Sequence, residues 1–133
     1  MKGTIQIKCI LQKKSNNERK TFFHNHNETW LINPSSILYV IADGNYSVVY
    51  LSTVASFHLS MQLGDVLQKM QLQLPLTCDD FVRMGRSLII NLTYLHYICP
   101  AQGKLELLNR NQDKVVLKAS EESLRRLMFF LDN

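Results

Sequence analysis

Apolar residues recur along this chain with two different periods. In residues 4–11, TIQIKCIL, Ile5, Ile7, Cys9 and Leu11 alternate with Gln6, Lys8 and Gln12. That period of two predicts a half-buried strand. The polar run 12–20, QKKSNNERK, follows it as a hairpin tip. Residues 28–32 predict a strand carrying Trp30, and Asn33-Pro34-Ser35-Ser36 a turn. Residues 36–42 and 46–52 predict two strands joined at Asp43-Gly44-Asn45. Asp-Gly favours a tight hairpin because Gly accepts positive φ. Residues 53–59 read as a further strand or hairpin return.

The period then changes. Leu63, Val66, Leu67 and Met70 fall at i, i+3, i+4 and i+7, one face of a helix that Ser60 would cap. Gly64 weakens that helix by about 1 kcal/mol relative to Ala, and Pro75 marks the loop leaving it. Leu88-Ile89-Ile90 is a short apolar run between turn-capable residues, which predicts a buried strand. Residues 94–98 predict another strand, ended by Pro100, with a turn at Gln102-Gly103. Residues 104–108 and 114–118 predict two strands around the polar loop 109–113. Ser120 is placed to cap a last helix, with Glu121 and Glu122 in its first turn where carboxylates suit the dipole. Leu124, Leu127, Met128 and Leu131 repeat the helical spacing, and Phe129 and Phe130 widen the apolar surface, either as core or as a dimer contact. The total is about ten short strands and two short helices, a mostly β domain built from antiparallel hairpins.

Composition adds bounds. The chain has 133 residues, 46% hydrophobic and 20% charged, which fits one globular domain. It has no apolar run long enough to span a membrane and no signal-peptide core at its start, so a cytoplasmic location is expected. Three cysteines, Cys9, Cys78 and Cys99, without a CxxC pair argue for reduced thiols rather than a disulfide framework or zinc site. His24 and His26 would share one face of a strand, but no third ligand stands near, which argues against a metal pair.

The net charge is +4, and it is unevenly spread. Residues 1–30 hold six basic and two acidic residues, whereas the rest of the chain is balanced. A basic footprint for nucleic acid must therefore come from local clustering, or from the N-terminal basic run acting as an arm on phosphates.

The most informative stretch is 81–95, FVRMGRSLIINLTYL. Arg83 and Arg86 stand just before the apolar run, at the mouth of that strand. An arginine fork on a rigid strand suits phosphate or the guanine edge; the bland alternative is two surface charges near a hairpin. The spacing Phe81-x-Arg83-x-x-Arg86-Ser87-x-x-x-Asn91, followed by 92–95, resembles the core signature of the LytTR family of bacterial DNA-binding domains. Residues 37–46, with Asp43-Gly44-Asn45-Tyr46 at the tip, resemble its strand and contacting hairpin. Residues 59–70 resemble its short helix, and 115–127 its last strand, serine and closing helix. The resemblance covers about residues 29–131 in order. Residues 1–28 are then an N-terminal strand with a polar basic hairpin or linker, and 29–133 the LytTR-like domain.

This resemblance implies an elongated arrangement of small antiparallel sheets with two short helices. It also implies binding of double-stranded DNA, through loops entering successive major grooves, at paired direct repeats in promoters and as a homodimer on DNA. No cofactor, membrane or small-molecule substrate is implied. Arg86 stands at the arginine of the family's Arg-Ser pair, with Arg83 and Ser87 beside it. Asn45 stands at the tip of the first contacting hairpin with Tyr46, where Asn can pair with adenine or merely build the turn. The third contacting position follows the serine of the last strand. It is commonly basic, but here Lys118 precedes Glu121 and Glu122. Gly85 replaces a frequent histidine. Most members carry this domain behind a receiver domain, and none fits before residue 30, so the chain is a fragment of a response regulator or a stand-alone regulator.

Three function classes follow. A sequence-specific transcription regulator rests on Arg86, Arg83, Asn45 and the ordered segments. A protein-interaction module on the same fold rests on the balanced charge, Glu121-Glu122 and the apolar last helix. An enzyme ranks last, since no carboxylate pair, activated nucleophile, metal spacing or phosphate loop stands out.

Overall fold

The computed structural model describes residues 21–24, 27–53, 55–73 and 80–132. The expected strand 4–11, the basic run 12–20 and the Pro75 loop lie outside the described residues.

Ten strands and two helices are present among the described residues. Strands β1 (Thr21–His24) and β2 (Thr29–Ile32) form an antiparallel hairpin. A 3-10 turn, Pro34–Ser36, capped by Asn33, leads into β3 (Ile37–Asp43) and β4 (Tyr46–Leu51). Then follow β5 (Ser56–Leu59), helix α1 (Leu63–Gln73), β6 (Phe81–Met84) and β7 (Leu88–Asn91). The last third holds β8 (Leu95–Cys99), β9 (Lys104–Leu108), β10 (Lys114–Lys118) and helix α2 (Glu121–Asp132). The sheets are β1-β2, a five-stranded β5-β4-β3-β7-β6 and a three-stranded β10-β9-β8, with every pairing antiparallel. The expected mostly β arrangement of small antiparallel sheets with two helices is what the molecule shows.

Strand β7 lies next to the centre of the large sheet, and all four of its residues are buried. Successive side chains of a strand point to opposite faces, so a continuous apolar run fits only where both faces are covered. Ile89 joins one core, with Val40, Val49 and Phe57 of the sheet, Leu63, Val66 and Met70 of α1, and Phe23 of β1. Leu88 and Ile90 join the other, with Leu105, Leu107 and Leu117 of the small sheet and Leu124 and Leu127 of α2. The large sheet is thus a middle layer with a helix on each side.

Polar groups lock the layers. Buried Asn91 donates from Nδ2 to the Ile37 carbonyl at 2.9 Å, and its Oδ1 accepts from the Thr93 N–H at 3.0 Å. This ties β7 to β3 and turns the chain into β8. Trp30 stacks on Phe57 at 4.6 Å.

The structure adds a strand, corrects one cap and divides the last helix's apolar face. Residues 21–24, for which the sequence pattern named no element, form a strand, and Phe23 is fully buried in the first core. Ser60 does not cap α1. The Asp65 and Val66 N–H groups both donate to the Gln62 carbonyl at 3.0 Å, so Gln62 flanks the helix and Ser60 lies two residues too early. On α2 the apolar stripe is buried only at Leu124 and Leu127; Met128 and Leu131 are 41% and 48% exposed. They line a shallow groove along β8, which is the edge of its sheet among the described residues.

Candidate nucleic-acid interface

The Arg83–Arg86 segment is a hairpin of its own. Arg83 does not precede the buried strand directly; it lies on β6, paired opposite Ile89 of β7. Residues 85–87 form the turn between the two strands. Gly85 sits at φ +67°, in the left-handed region that a side chain disfavours, and this ends β6 within one residue. Arg86 and Ser87 are exposed on the turn. The expected strand was only the second half of this unit, because alternation over Phe81-Val82-Arg83-Met84 is too short to register as a strand by itself.

The turn is held from β3 and from Arg83, and lies beside α2. The Ser87 carbonyl accepts from the Ala42 N–H at 2.8 Å, which continues the β3–β7 ladder. Arg83 donates from Nε to the Gly85 carbonyl at 3.1 Å and from Nη2 to the Arg86 carbonyl at 3.5 Å. A methyl group placed on Gly85 would stand 3.7 Å from Ser123 Oγ of α2, so the turn lies against the start of that helix.

Next to it is the β3–β4 tip. Asp43 pairs with Tyr46, leaving a two-residue turn, Gly44-Asn45, with Gly44 at φ +63°. Asn45 is exposed, and its Oδ1 receives a long contact from Gln62 Nε2 at 3.5 Å. Tyr46 is 53% exposed. Behind them, buried Ser47 donates to the Met61 carbonyl at 2.8 Å, which fixes the hairpin to the approach of α1. Gly44, Gln62, Gly64, Asp65, Arg83 and Arg86 line one hollow between this tip, the first turn of α1 and the β6–β7 turn.

The third element is the start of α2. Ser120 caps it as expected: its Oγ accepts from the Ser123 N–H at 3.1 Å, and its carbonyl from the Leu124 N–H at 3.0 Å. Glu121 and Glu122 are exposed, and each is paired one turn on. Arg125 reaches Glu121 at 2.8 Å, and Arg126 pairs with Glu122. The acidic residues are therefore locally neutralised. Such exposed i,i+4 pairs are worth a few tenths of a kcal/mol each. Arg126 also lines a groove with Arg83, Gly85 and Ser123. The i,i+4 spacing from Glu122 was the signal that identifies it.

The expected residues thus fall into two groups. Arg83, Arg86, Ser87, Asn45 and Tyr46 lie on adjoining elements around one hollow, and Glu122 lies on the helix start that touches the turn. Lys118 sits apart from the hollow's lining, at the end of β10 opposite Lys104. That sheet's outer face buries Glu106, which is surrounded by His96 at 3.2 Å, Lys104 at 3.4 Å and Lys114 at 3.7 Å. An exposed guanidinium on a fixed turn can donate two parallel hydrogen bonds to a phosphate or a guanine edge. Asn45 has the donor and acceptor that adenine requires.

Known proteins share this fold. The LytTr DNA-binding domain family matches residues 27–131. Among solved structures, the chain is similar to the LytTr DNA-binding domain of a protein described as a methyl-accepting/DNA response regulator from Bacillus cereus. The TM-score is 0.58 at 19% identity, and the match covers 86% of this chain and 97% of that one. No curated protein matches. Among the described residues, no helix is long and apolar enough to cross a membrane. With four-fifths of its length matched by that family, in a fold that a solved member shares, this chain belongs to the LytTR DNA-binding domains.

Proposed function

We propose that this domain is a sequence-specific, DNA-binding transcription regulator, the output end of a bacterial two-component response. It acts in the cytoplasm and places its exposed loops in successive major grooves, at paired direct repeats that bring two copies together on promoter DNA. Arg86 reads a base edge from the β6–β7 turn, and Ser87 beside it meets the backbone. Asn45 and Tyr46 contact DNA from the adjoining tip. The start of α2 makes the third approach, where Glu122 accepts from a base amine and Arg126 supplies charge. Lys118 adds a phosphate contact at the flank. No cofactor or small-molecule substrate is required.

The observation that carries this reading is the position of Arg86. It is an exposed arginine on a turn held by β3 and by Arg83, next to a second exposed turn that carries Asn45. Such pre-organisation lowers the ordering cost of binding.

The test is selection from a random-sequence duplex pool with the full chain. The expected result is an enriched motif present twice in the same orientation. A pool without enrichment after repeated rounds would count against the reading. The second reading, a protein-interaction module, is favoured by one feature: Met128, Phe129, Phe130 and Leu131 are 41–72% exposed on α2. Failed enrichment would move the weight there.

A further inference from the structure

Arg83 is exposed, but its guanidinium folds back along the surface onto backbone carbonyls. Its Nε and Nη2 donate to the carbonyls of Gly85 and Arg86, the two residues that begin the turn. Its remaining nitrogen lies over the first turn of α1, where a methyl group on Gly64 would stand only 3.1 Å from Nη1. That is tighter than an ordinary carbon contact, so the guanidinium and the helix backbone approach as closely as they do because residue 64 has no side chain. The planar fork therefore ties β6 to the turn 85–87 and lies close over the start of α1.

From this we infer that Arg83 is a positioning residue for Arg86, seated on Gly64, and not itself a reader of DNA. The inference rests on the proposed reading of DNA by Arg86. Physically, the carbonyls of a turn otherwise face water and the turn can rock about its two strand ends. A hydrogen bond to the Gly85 carbonyl at 3.1 Å and a longer contact to the Arg86 carbonyl at 3.5 Å restrain the turn, and with it the direction in which the Arg86 side chain leaves the backbone. Lysine keeps the charge but offers one nitrogen on a flexible stem, so it cannot hold both carbonyls and the helix together. Gly64 is the complementary half. Alanine there favours the helix by propensity yet displaces the fork by a few tenths of an ångström.

The arrangement also couples the two exposed turns. The β3–β4 tip is fixed to the approach of α1 through Ser47 and Met61, and the Arg83 guanidinium that braces the β6–β7 turn packs over the first turn of α1. The first turn of α1 is thus the common reference for Asn45 and Arg86, and the spacing between their contacts on DNA is set there.

The test uses the full chain as wild type, Arg83→Lys, Arg83→Gln, Gly64→Ala and Arg86→Ala. Each is put through selection on the random-sequence duplex pool and titrated against the selected duplex and a scrambled one at several salt concentrations. Backbone heteronuclear NOEs are recorded on the proteins without DNA. Both Arg83→Lys and Gly64→Ala are expected to lose about tenfold or more in preference for the selected duplex. The base positions that relax are those relaxed by Arg86→Ala, with scrambled-duplex affinity and salt slope unchanged. Gly64→Ala is expected to do this without a lower melting temperature. In both, NOEs of Gly85, Arg86 and Ser87 fall while those of β3 and β7 hold.

Relaxation at a base position that Arg86→Ala leaves untouched would make Arg83 a reader and overturn the inference. Full specificity in Arg83→Lys, with a salt slope about one unit shallower in Arg83→Gln, would make it a phosphate contact and overturn it too. If wild type selects no sequence, the DNA reading fails, and the NOEs alone decide: unchanged turn NOEs in both variants reject the strut.

Discussion

The β6–β7 turn and the start of α2 touch each other, yet they are stabilised in opposite ways. The turn carries an exposed arginine, and its own backbone carbonyls are held by a second arginine. The helix start carries two carboxylates, each answered by an arginine one turn later. One element presents net positive charge from a fixed backbone; the other presents charge that is already paired. An anionic duplex gains most from the first, because a guanidinium on a braced turn needs little ordering to form two bonds. It gains less from the second, where binding a phosphate means competing with Glu121 and Glu122. On the proposed reading, specificity is therefore concentrated on the turn, and the helix start is a modulating contact.

The largest effect comes from removing what supports both. Ile90 is fully buried in the core shared by β7 and α2. Ile90→Ala is expected to lower unfolding free energy by about 2–5 kcal/mol, read by denaturant titration. A loss below 1 kcal/mol would mean the two elements do not share that core. Next is Arg86→Ala, which is expected to weaken specific binding by about 1–3 kcal/mol with little change in melting temperature. The same loss on a scrambled duplex would reduce Arg86 to a phosphate contact and erase the contrast.

Glu122→Arg sharpens the comparison from the other side. It removes a carboxylate and releases Arg126, so non-specific binding is expected to tighten a few-fold and the salt slope to steepen by about one unit. An unchanged slope would place the helix start away from the duplex. The smallest effect is a control in the sheet beneath. Burial, with the neighbouring Tyr50 charge second, raises the Tyr39 pKa above its ordinary 10.0. The folded state thus favours the neutral phenol. That stability is present below the ordinary value and is lost as pH rises through it toward the raised one. Tyr39→Phe is expected to flatten the alkaline limb of a stability–pH curve; a limb as steep as wild type would assign the loss to other groups.

Much of this architecture was legible because long patterns carry it. The run Leu88-Ile89-Ile90 announced a strand covered on both faces, and Ser120 with its Glu-rich first turn announced α2. Other features were hidden for physical reasons. Phe23 sits in a four-residue strand, Thr21-Phe22-Phe23-His24, too short to show a period, and only its partner β2 reveals it. The hairpin turn at 85–87 depends on one glycine in a left-handed conformation, which composition does not distinguish from a flexible loop. Arg83 and Arg86 look alike in sequence. What separates them is the strand pairing, which puts one on β6 with turn carbonyls in reach and the other on the turn itself. The Glu–Arg pairs of α2 were readable from their spacing of four, yet the acidic residues draw notice first.

The most direct measurement is fluorescence anisotropy with a labelled selected duplex, wild type beside Arg86→Ala, at about 50 and 200 mM salt. Binding that weakens with salt in both proteins, with a tenfold or larger loss in the mutant at either salt, is the result this account predicts. Equal affinities for the two proteins at both salt concentrations would contradict it, and would remove the β6–β7 turn from the DNA-reading surface.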